Sequence, residues 1–318
     1  MKNTKQPLVS IVIPTYNRKE MAAGLIKSIL KSTYKNLELI VVDDASTDGT
    51  SQYLSKKFGK NKKIIIRRNK TNMFAAGSKN EGQKMAHGKY IAFIDDDNVV
   101  DKLMIEKLIS LLDSDPSIGE VGPVNYVMGK KNKVLLTRST RNMWTTKTNH
   151  IRSLEKFRSQ KFWETDDIPN AFIVRADILK QNKISFRPYF GIMYEESDFA
   201  YRIRLAGYKI MIVKDAKIYH GIEIADKDYV YHYLSDPRRS FVFARNRIVF
   251  HSLYSTFVQN IFIFSFWIWF FCAVYVYKFI TYSGLTNFSF KNKIITSLKY
   301  LNGTISGINF VFLGKESF

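Results

Sequence analysis

Three consecutive carboxylates, Asp95, Asp96 and Asp97, follow the apolar stretch "YIAFI". Charges of one sign at this spacing repel each other, and burying any one of them alone costs free energy. Mg²⁺ and Mn²⁺ bind carboxylate oxygens and leave coordination positions for phosphate oxygens. Because side chains alternate along an extended chain, Asp95 and Asp97 are expected on one face and Asp96 on the other. The triplet predicts a site for a nucleotide and its metal ion; the alternative is a solvated acidic loop that caps the next helix.

Two further groups of polar residues follow apolar strands in the same way. "LVSIVI" leads into a group that contains Pro14, Thr15, Tyr16 and Arg18, and "LELIVV" leads into Asp43 and Asp44. Strand and helix patterns alternate here, which predicts an α/β fold with a mostly parallel sheet flanked by helices. Ligands of such sheets bind beyond the carboxyl ends of the strands. The three groups are therefore expected to form one nucleotide-binding site, in which Asp95 and Asp96 take part.

The loops of this predicted site lack the glycine patterns of the common phosphate-binding loops. The first strand is followed by "PTYNRK", without G-x-G-x-x-G, and the chain contains no G-x-x-x-x-G-K-[ST]. A nucleotide would then be held without a glycine-rich loop, which increases the need for a metal ion at its diphosphate.

Capping signals predict where several helices begin and end. Asn17 with Glu20 resembles a capping box, Asp101 precedes "KLMIEKLISLL" as an N-cap, and residues 76–87 are predicted to form a helix that ends at Gly88. Such residues provide partners for backbone groups that a helix end leaves unpaired.

A second acidic cluster lies downstream, in "YEESDFAYRIRLAG". Glu195, Glu196 and Asp198 are crowded together, and crowding raises the pKa of one carboxyl, which suits a general base. Arg202 follows Asp198 by one helical turn and is expected to contact a diphosphate or an acceptor. The alternative is a helix with acids in its first turn and i to i+4 ion pairs after it. His220 ends an apolar strand and is expected to be a metal ligand if the triplet holds a metal, and otherwise a structural residue.

The composition predicts an anionic partner. The formal charge is +21, from 49 basic and 28 acidic residues among 318, which suits a nucleotide, a nucleic acid or an acidic membrane surface. The sequence has no nucleic-acid-binding motif, so nucleic acid is not expected. The single cysteine, Cys272, fits a reducing compartment, and the N-terminus resembles no secretion signal.

An uncharged stretch near the C-terminus, from Phe257 to Tyr277, has about the length needed to cross a membrane. The alternative is a buried core helix. A second apolar stretch, 294–313, is interrupted by polar residues and glycines, and either spans the membrane or lies in its interface. Basic residues before the first stretch predict that the main domain lies on the cytoplasmic side. The basic residues before the first stretch are expected to bind lipid head groups or a diphosphate. They are Arg238, Arg239, Arg245 and Arg247.

Taken together, these motifs resemble the inverting glycosyltransferases of family 2, which have the GT-A fold. The resemblance covers roughly Leu8 to Phe250, and its motifs occur in the family's order: "VSIVIPTYNR", "VVDDASTDGT", "NMFAAGSKN", "GKYIAFIDDD", "EESDFAYRIRLAGY", "YHG" and "RNRIVF". It implies that residues 1–250 form a GT-A domain, with a nucleotide-binding half (1–124) and an acceptor-binding half (125–250). Residues 251–318 are then expected to be membrane-associated helices.

The resemblance implies a set of donor-binding residues. Thr15, Tyr16 and Asp44 would contact the base, typically uracil in this family, and Asp95 would contact the ribose. Asp97 would bind Mn²⁺ or Mg²⁺ at the diphosphate. The residues that would lie near the metal or the diphosphate are His220, Arg245 and Arg247.

Glu196 matches the position of the family's catalytic base. The family usually has Asp there, and the longer side chain leaves Glu195 as a second candidate. Lys79 stands where Arg often lies beside a nucleotide phosphate, so a point charge replaces a guanidinium fork. Phe74 and Pro169-Asn170 stand at positions where Gly is frequent.

The implied reaction is metal-dependent transfer of one sugar from a nucleotide-sugar, with UDP as the expected nucleotide. The base deprotonates an acceptor hydroxyl, which attacks the anomeric carbon from the face opposite the nucleotide, so the configuration inverts. The uncharged stretch favours a lipid-linked or glycan acceptor at a membrane, and the absence of a Q-x-x-R-W motif favours a single transfer. One alternative is a sugar-nucleotidyl transferase, whose glycine-rich signature after the first strand is absent. The other is a non-catalytic, membrane-anchored module that binds nucleotide-sugars.

Overall fold

The computed structural model describes residues 6–221, 234–281 and 289–314 of the chain. The chain groups into two compact units. The first unit comprises Met1–Thr140, His150–Gly191 and Glu195–Glu223, and the second comprises Arg141–Asn149, Ile192–Tyr194 and Ile224–Phe318. The predicted boundary at residue 250 separates a GT-A domain from membrane-associated helices, and it stays a prediction.

The first unit is built on a mixed sheet whose central strands are parallel. The strands of the chain are, in order, β1 (Val9–Thr15), β2 (Leu37–Asp43), β3 (Ile64–Arg68), β4 (Tyr90–Ile94), β5 (Asn98–Val100), β6 (Ile118–Val127), β7 (Val134–Leu136), β8 (Arg138–Arg141), β9 (Thr148–Ile151), β10 (Phe162–Glu164), β11 (Ala171–Arg175) and β12 (Lys209–His220). The main sheet has the order β10-β12-β6-β11-β4-β1-β2-β3, and β8 pairs with β9 in a separate ribbon. Strands β1 to β4 are parallel, β11 is antiparallel to β4 and β6, and β12 is parallel to β6. The predicted α/β fold with a mainly parallel central sheet is confirmed.

Helices cover both faces of this sheet. They are α1 (Lys19–Leu30), α2 (Thr50–Phe58), α3 (Phe74–Met85), α4 (Met104–Ser114), α5 (Ala176–Gln181) and α6 (Glu195–Leu205), with 3₁₀ turns at Glu155–Phe157 and Pro188–Phe190. Ile11 and Ile13 of β1 share one core with residues of α1, α2 and α4. Val12, which points the other way, shares a second core with residues of α3, α5 and α6. A strand buried on both faces explains why β1 is apolar at almost every position.

The ends of three helices differ from the predictions. Helix α1 has no side-chain cap, because Asn17 adopts a left-handed backbone (φ 53°) and accepts a hydrogen bond from Thr47 N at 2.7 Å instead. Helix α4 begins at Met104, and the Asp101 side chain forms a turn by accepting from Leu103 N at 2.9 Å. Helix α3 spans Phe74–Met85, so Gly88 lies beyond its end. A Cβ at Gly88 would be 2.7 Å from Ser10 N, so this glycine permits close backbone approach.

The second unit is helical. Its helices are α7 (Pro237–Tyr254), α8 (Phe257–Phe262), α9 (Ile268–Thr281) and α10 (Phe290–Leu313), with a π-helical turn at Ile263–Trp267 between α8 and α9. Asp236 caps α7 by accepting from Arg239 N, and Thr256 with Gln259 forms a capping box for α8. These signals fit the ordinary chemistry of helix N-termini.

Two glycines that interrupt the apolar stretch 294–313 lie where α10 packs on α7. A Cβ at Gly303 would lie 2.2 Å from the carbonyl oxygen of Phe241, and one at Gly307 would lie 2.9 Å from the carbonyl oxygen of Arg245. These positions allow the two helix backbones to approach closely, since glycine has no side chain.

The segment Phe257–Thr281 is a continuous helical run of 25 residues, and its most apolar stretch of 18 residues has a mean hydropathy of 1.9. Only 17% of that stretch is buried inside the protein. Among the described helices, this is the one that is long and apolar enough to cross a membrane, a statement about length and composition alone. The α10 helix does not meet that description, so whether it spans a membrane or lies in its interface stays an open prediction.

Candidate active site

The acidic triplet begins where strand β4 ends. Strand β4 stops at Ile94, and Asp96 and Asp97 form a turn before β5. The predicted alternation of the three side chains is therefore wrong, because it required an extended chain through Asp97. Instead Asp96 and Asp97 share a contact with Arg18, and Asp95 contacts Lys79.

Asp96 is held against the end of β1. It is 4% exposed, accepts a hydrogen bond from Thr15 Oγ1 at 2.7 Å, and lies 3.0 Å from Nη1 of Arg18. Burial raises the pKa of Asp96 to about 6, although the Arg18 charge and the Thr15 hydroxyl act in the opposite direction. Thr15 and Arg18, both predicted to bind the nucleotide, thus contact Asp96, and Pro14 precedes them in β1. Tyr16 is 43% exposed beside them.

Asp97 faces His220, and their predicted role as metal ligands stays a prediction. Oδ1 of Asp97 lies 3.8 Å from Nε2 of His220, and Oδ2 lies 3.2 Å from Nη1 of Arg18. The backbone joins the two segments as well, since Gly221 N donates to Asp97 O at 3.0 Å. His220 is buried, and its Nδ1 has no hydrogen-bond partner within the described part of the chain.

The residues at this position fit a divalent cation with an open coordination sphere. A carboxylate oxygen and an imidazole nitrogen are ligands that divalent first-row metals accept, and diphosphate oxygens and waters usually complete such sites. Within residues 6–221, 234–281 and 289–314, no group of three or more His, Cys, Asp or Glu side chains is arranged so that it could hold a metal ion by itself. Asp97 and His220 would therefore hold an ion only together with a ligand that brings further oxygens.

Asp44 lies at the end of β2 in a buried polar group. Its Oδ1 accepts from Asn69 Nδ2 at 2.9 Å and from Met73 N at 2.8 Å. Asn69 also donates to Ser78 Oγ at 3.1 Å. The preceding Asp43 is fully buried and accepts from Ser46 N at 2.9 Å, which is a turn-forming role. The sequence reasoning missed Asn69 and Ser78, although "RRN" at the end of β3 is a polar strand end like the others.

Lys79 joins the triplet to the downstream acidic cluster. Its side chain is 0% exposed, and its Nζ lies 2.5 Å from Oε1 of Glu196, 3.4 Å from Oε1 of Glu195 and 3.3 Å from Oδ1 of Asp95. Asn170 N donates to the second oxygen of Glu196 at 3.2 Å. Residues far apart in the chain thus form one charged group, which we call the Lys79 cluster: Lys79, Asp95, Glu195 and Glu196.

Burial dominates the acidity of the two glutamates. It raises the pKa of Glu196 to about 8, and the Lys79 ammonium acts in the opposite direction. Burial also raises the pKa of Glu195. A carboxyl with a raised pKa accepts a proton near neutral pH, which is the property of a general base. Of the two, Glu196 has the more exposed side chain, 14% against 7%.

Two of the departures from the family pattern have left-handed backbones. Phe74 has φ 59° and Asn170 has φ 72°, a region that glycine adopts without strain. The structure therefore explains why glycine is frequent at these positions. Asn tolerates the region better than most residues, whereas a bulky Phe there is strained.

The family model for glycosyl transferase family 2 matches residues 10–182, which is more than half of the chain. The chain belongs to this family. The match covers β1 to β4 and the ends at which Thr15, Asp44 and the triplet lie.

Relatives of this family-2 protein match parts of its length. A glycosyltransferase of Haemophilus influenzae is 30% identical over 182 residues, covering 57% of this chain and 55% of that protein. WfaP of Escherichia coli, named a UDP-Glc:alpha-D-GlcNAc-diphosphoundecaprenol beta-1,3-glucosyltransferase, is 44% identical over 91 residues, 29% of this chain and 36% of that protein. The chain thus spans about a third to just over half of the length of these relatives.

Solved structures share the fold over nearly the whole chain. The mannosyltransferase PcManGT of Pyrobaculum calidifontis, solved with GDP-Man and Mn²⁺, has a TM-score of 0.60 at 14% identity, covering 96% of this chain and 88% of that one. TarS of S. aureus with UDP-GlcNAc has a TM-score of 0.58 at 19% identity, covering 96% and 82%. At such identities the likeness confirms the GT-A fold of the family-2 protein and no more.

Three predicted arginines have other contacts. Arg202 lies 2.8 Å from Oδ2 of the fully buried Asp198, and Arg187 lies 3.0 Å from the other oxygen, so Arg202 forms the i to i+4 ion pair of the alternative interpretation. Arg245 and Arg247 are buried in the second unit, where Arg245 lies over the ring of Phe310 and Arg247 over the rings of α9 and α7 aromatic residues. Their predicted roles at the diphosphate stay predictions.

One buried acid of the family-2 domain has no predicted role. Glu120 of β6 is 1% exposed, and neither of its carboxylate oxygens has a hydrogen-bond partner within the described residues. Burial, together with the charges of Asp167 and Glu196, raises its pKa well above the usual range. Periodicity gave no signal for this residue, because a charged residue within an apolar strand is normally expected to face solvent.

Proposed function

We propose that the protein is an inverting glycosyltransferase that moves one sugar from a nucleotide-sugar to a hydroxyl of a lipid-linked or glycan acceptor. UDP is the proposed nucleotide, and the reaction is proposed to depend on Mn²⁺ or Mg²⁺. The observation that carries the proposal is the Lys79 cluster beside the triplet. Through Lys79 it joins the buried Glu196 carboxylate, whose pKa is raised, to Asp95, which lies two residues before Asp97. A base and a diphosphate site so close together suit attack of a hydroxyl on a nucleotide-sugar.

In this proposal the side chains have separate tasks. Glu196 takes the proton of the acceptor hydroxyl, and the oxygen then attacks the anomeric carbon from the face opposite the diphosphate, which leaves with its electron pair. Asp97 and His220 would hold the metal ion, which supplies positive charge that stabilises the departing diphosphate. Asp44, Thr15 and Tyr16 line the strand ends where the base would bind.

The relatives support the choice of donor and acceptor. WfaP is named for a UDP-sugar donor and a diphosphate-linked lipid acceptor, and TarS was solved with UDP-GlcNAc. PcManGT, solved with GDP-Man, makes GDP the competing nucleotide. The exposed apolar helix Phe257–Thr281 supports attachment to a membrane, where a lipid-linked acceptor would lie, with the catalytic domain proposed on the cytoplasmic face.

The metal assignment is tested by Asp97→Asn. UDP binding is measured by calorimetry with and without Mn²⁺, and sugar transfer or release is measured across UDP- and GDP-sugars. We expect wild type to bind UDP about tenfold or more tightly with Mn²⁺, and Asp97→Asn to lose that gain. The matched control is Asp215→Asn, an exposed residue in β12 that is expected to behave as wild type. Metal-stimulated turnover that survives in Asp97→Asn would overturn the assignment.

The base is tested by Glu196→Gln. This variant keeps the size of the side chain and is expected to bind UDP as wild type does, while turnover falls by about a hundredfold or more. Turnover that is unchanged in Glu196→Gln and lost in Glu195→Gln would assign the base to Glu195. If no sugar is transferred by wild type while UDP binds, the protein is a binding module and the proposed activity is wrong.

A further inference from the structure

We infer that Lys79 is a positioning residue for the catalytic base Glu196 and not a ligand of the donor phosphate. The inference rests on the proposed function, and it departs from the role that the family resemblance implies for this position. The geometry points to it because the ammonium lies 2.5 Å from Oε1 of Glu196 and is completely buried.

The ammonium is already surrounded by three carboxylates, and two of them accept its hydrogen bonds. A lysine ammonium carries three N–H donors. Three carboxylate oxygens, from Glu196, Glu195 and Asp95, lie 2.5, 3.4 and 3.3 Å from Nζ. The ring of Phe186 lies 5.5 Å from Nζ and covers another side of it. A phosphate that approaches Lys79 would compete with these carboxylates for the ammonium.

The fold fixes Lys79 in this place from two sides. The next residue, Asn80, donates from Nδ2 to Phe186 O at 2.7 Å and accepts from Phe186 N at 2.8 Å, which joins α3 to the segment before α6. On the other side, Gly82 packs α3 directly on Val12 of β1. The side chain that extends between these contacts is therefore held towards Glu196, in the first turn of α6.

Both oxygens of the base are oriented as a result. Oε1 of Glu196 accepts from Lys79, and Oε2 accepts from Asn170 N at 3.2 Å. An ionised carboxylate has about four lone-pair positions, so Oε2 still has capacity for an acceptor hydroxyl. Lys79 thus fixes which oxygen faces the reaction.

The ammonium of Lys79 influences the protonation of Glu196, because the other charged groups around this carboxyl are acidic. The groups that act on it are Lys79 from α3, Asp95 from the end of β4, Glu195 from α6 and Glu120 from β6. Only Lys79 among these four is cationic, and it opposes the effect of burial on the pKa of Glu196. Removing the ammonium would keep the base protonated to a higher pH.

The test compares Lys79→Met, Lys79→Arg and wild type. We measure kcat against pH and the affinity for UDP with Mn²⁺. Lys79→Met is expected to shift the acidic limb of the kcat profile upwards by about one pH unit or more and to lower kcat at pH 7 about tenfold, with UDP affinity changed less than about threefold. Lys79→Arg replaces the ammonium by the guanidinium that the family often has at this position. It is expected to return the acidic limb of the kcat profile to the wild-type pH. The matched control is Lys84→Met, an exposed lysine of the same helix, 70% exposed and paired with Glu81.

Two results would overturn the inference. UDP affinity that falls about tenfold or more in Lys79→Met, with the acidic limb unmoved, would make Lys79 a phosphate ligand. A loss of kcat without any shift of the limb, and without rescue by Lys79→Arg, would make its role structural.

A variant that fails to fold does not end the test. Lys79→Met leaves three carboxylates without their ammonium, so the double variant Lys79→Met with Glu195→Gln removes one of the negative charges. Its Glu196 carboxyl is titrated by ¹³C NMR against that of Glu195→Gln alone, without any sugar substrate. A higher pKa for Glu196 in the double variant supports the inference, and an equal pKa overturns it. This readout is independent of turnover, so failure of the proposed function would be recognised separately.

Discussion

Gly82 tests whether the packing of α3 on β1 positions the buried ammonium of Lys79. A Cβ at Gly82 would lie 2.2 Å from Cγ1 of Val12, whereas ordinary contact begins at 3.4 Å, so Gly82→Ala requires a movement of about 1.2 Å. Because Lys79 lies one turn earlier on the same helix, the same movement would lengthen its 2.5 Å contact with Glu196 to as much as about 3.7 Å. That distance is beyond a hydrogen bond.

Helix α1 provides a matched control for this substitution. Gly24 is also a helical glycine, but a Cβ there would meet nothing within 4 Å. Gly24→Ala is expected to stabilise the protein by about 0.5–1 kcal/mol, because alanine restricts the unfolded chain and favours the helix. Gly82→Ala has the same gain but adds over-packing, which costs about 1–3 kcal/mol. The difference between the two variants isolates the packing term, since the helix-propensity term is common to both.

The assay combines urea unfolding with turnover. At equal m-values, Gly82→Ala should unfold at a lower urea concentration than Gly24→Ala, and the free energies of unfolding should differ by about 1–3 kcal/mol. Turnover at pH 7 should fall in Gly82→Ala and stay at the wild-type value in Gly24→Ala. Equal stabilities would refute the packing argument. A destabilised Gly82→Ala with full turnover would show that Lys79 keeps its contact by other means.

Two further predictions concern a buried acid and the second unit. Glu120→Gln should make stability less dependent on pH. The pKa of Glu120 is raised on folding, so its stabilising contribution is complete below the unfolded pKa of about 4.5 and decreases by about 1.4 kcal/mol per pH unit above it, up to the folded pKa. Urea unfolding of both proteins from pH 4 to pH 8 checks this, and parallel curves would contradict it. Gly303→Ala should destabilise the second unit by about 1–3 kcal/mol, because its Cβ would meet the Phe241 carbonyl oxygen at 2.2 Å. Thermal unfolding followed by near-UV circular dichroism measures this against the exposed control Ile305→Val, and equal melting temperatures would contradict it.

The sheet was predictable because its strands are buried on both faces. A strand such as β1 must be apolar at successive positions, and the polar residues that follow it must then lie at the edge of the sheet. That reasoning places Thr15, Asp44 and Asp95 at neighbouring strand ends without any coordinates. The pairing of Asp97 with His220 was predictable only through the motifs of the family, since 122 residues separate the two in the chain.

The roles of single side chains were harder to predict because they depend on where a strand stops. Asp96 turns back to Thr15 since β4 ends at Ile94, and one further extended residue would have reversed its direction. Arg202 had two consistent interpretations, and the choice depended on whether Asp198 is buried, which the sequence pattern does not state. The contact between Lys79 and Glu196 depends on the position of α3 relative to α6. No local sequence pattern specifies that position, so the sequence did not predict the contact.

The charge of the site is opposite to the charge of the chain. The chain carries +21, yet the triplet and the Lys79 cluster bring five carboxylates together. Within the described residues, their cationic contacts are Arg18 and Lys79, apart from His220, which is charged only when it is protonated. Each of the two cations is already engaged by carboxylates, so the basic excess lies elsewhere on the protein and does not by itself attract a diphosphate to this site. In the proposed function, a diphosphate that approaches Asp97 would meet these carboxylates, and a divalent cation would offset their repulsion. The charges of these residues are consistent with the proposed metal dependence, which Asp97→Asn tests.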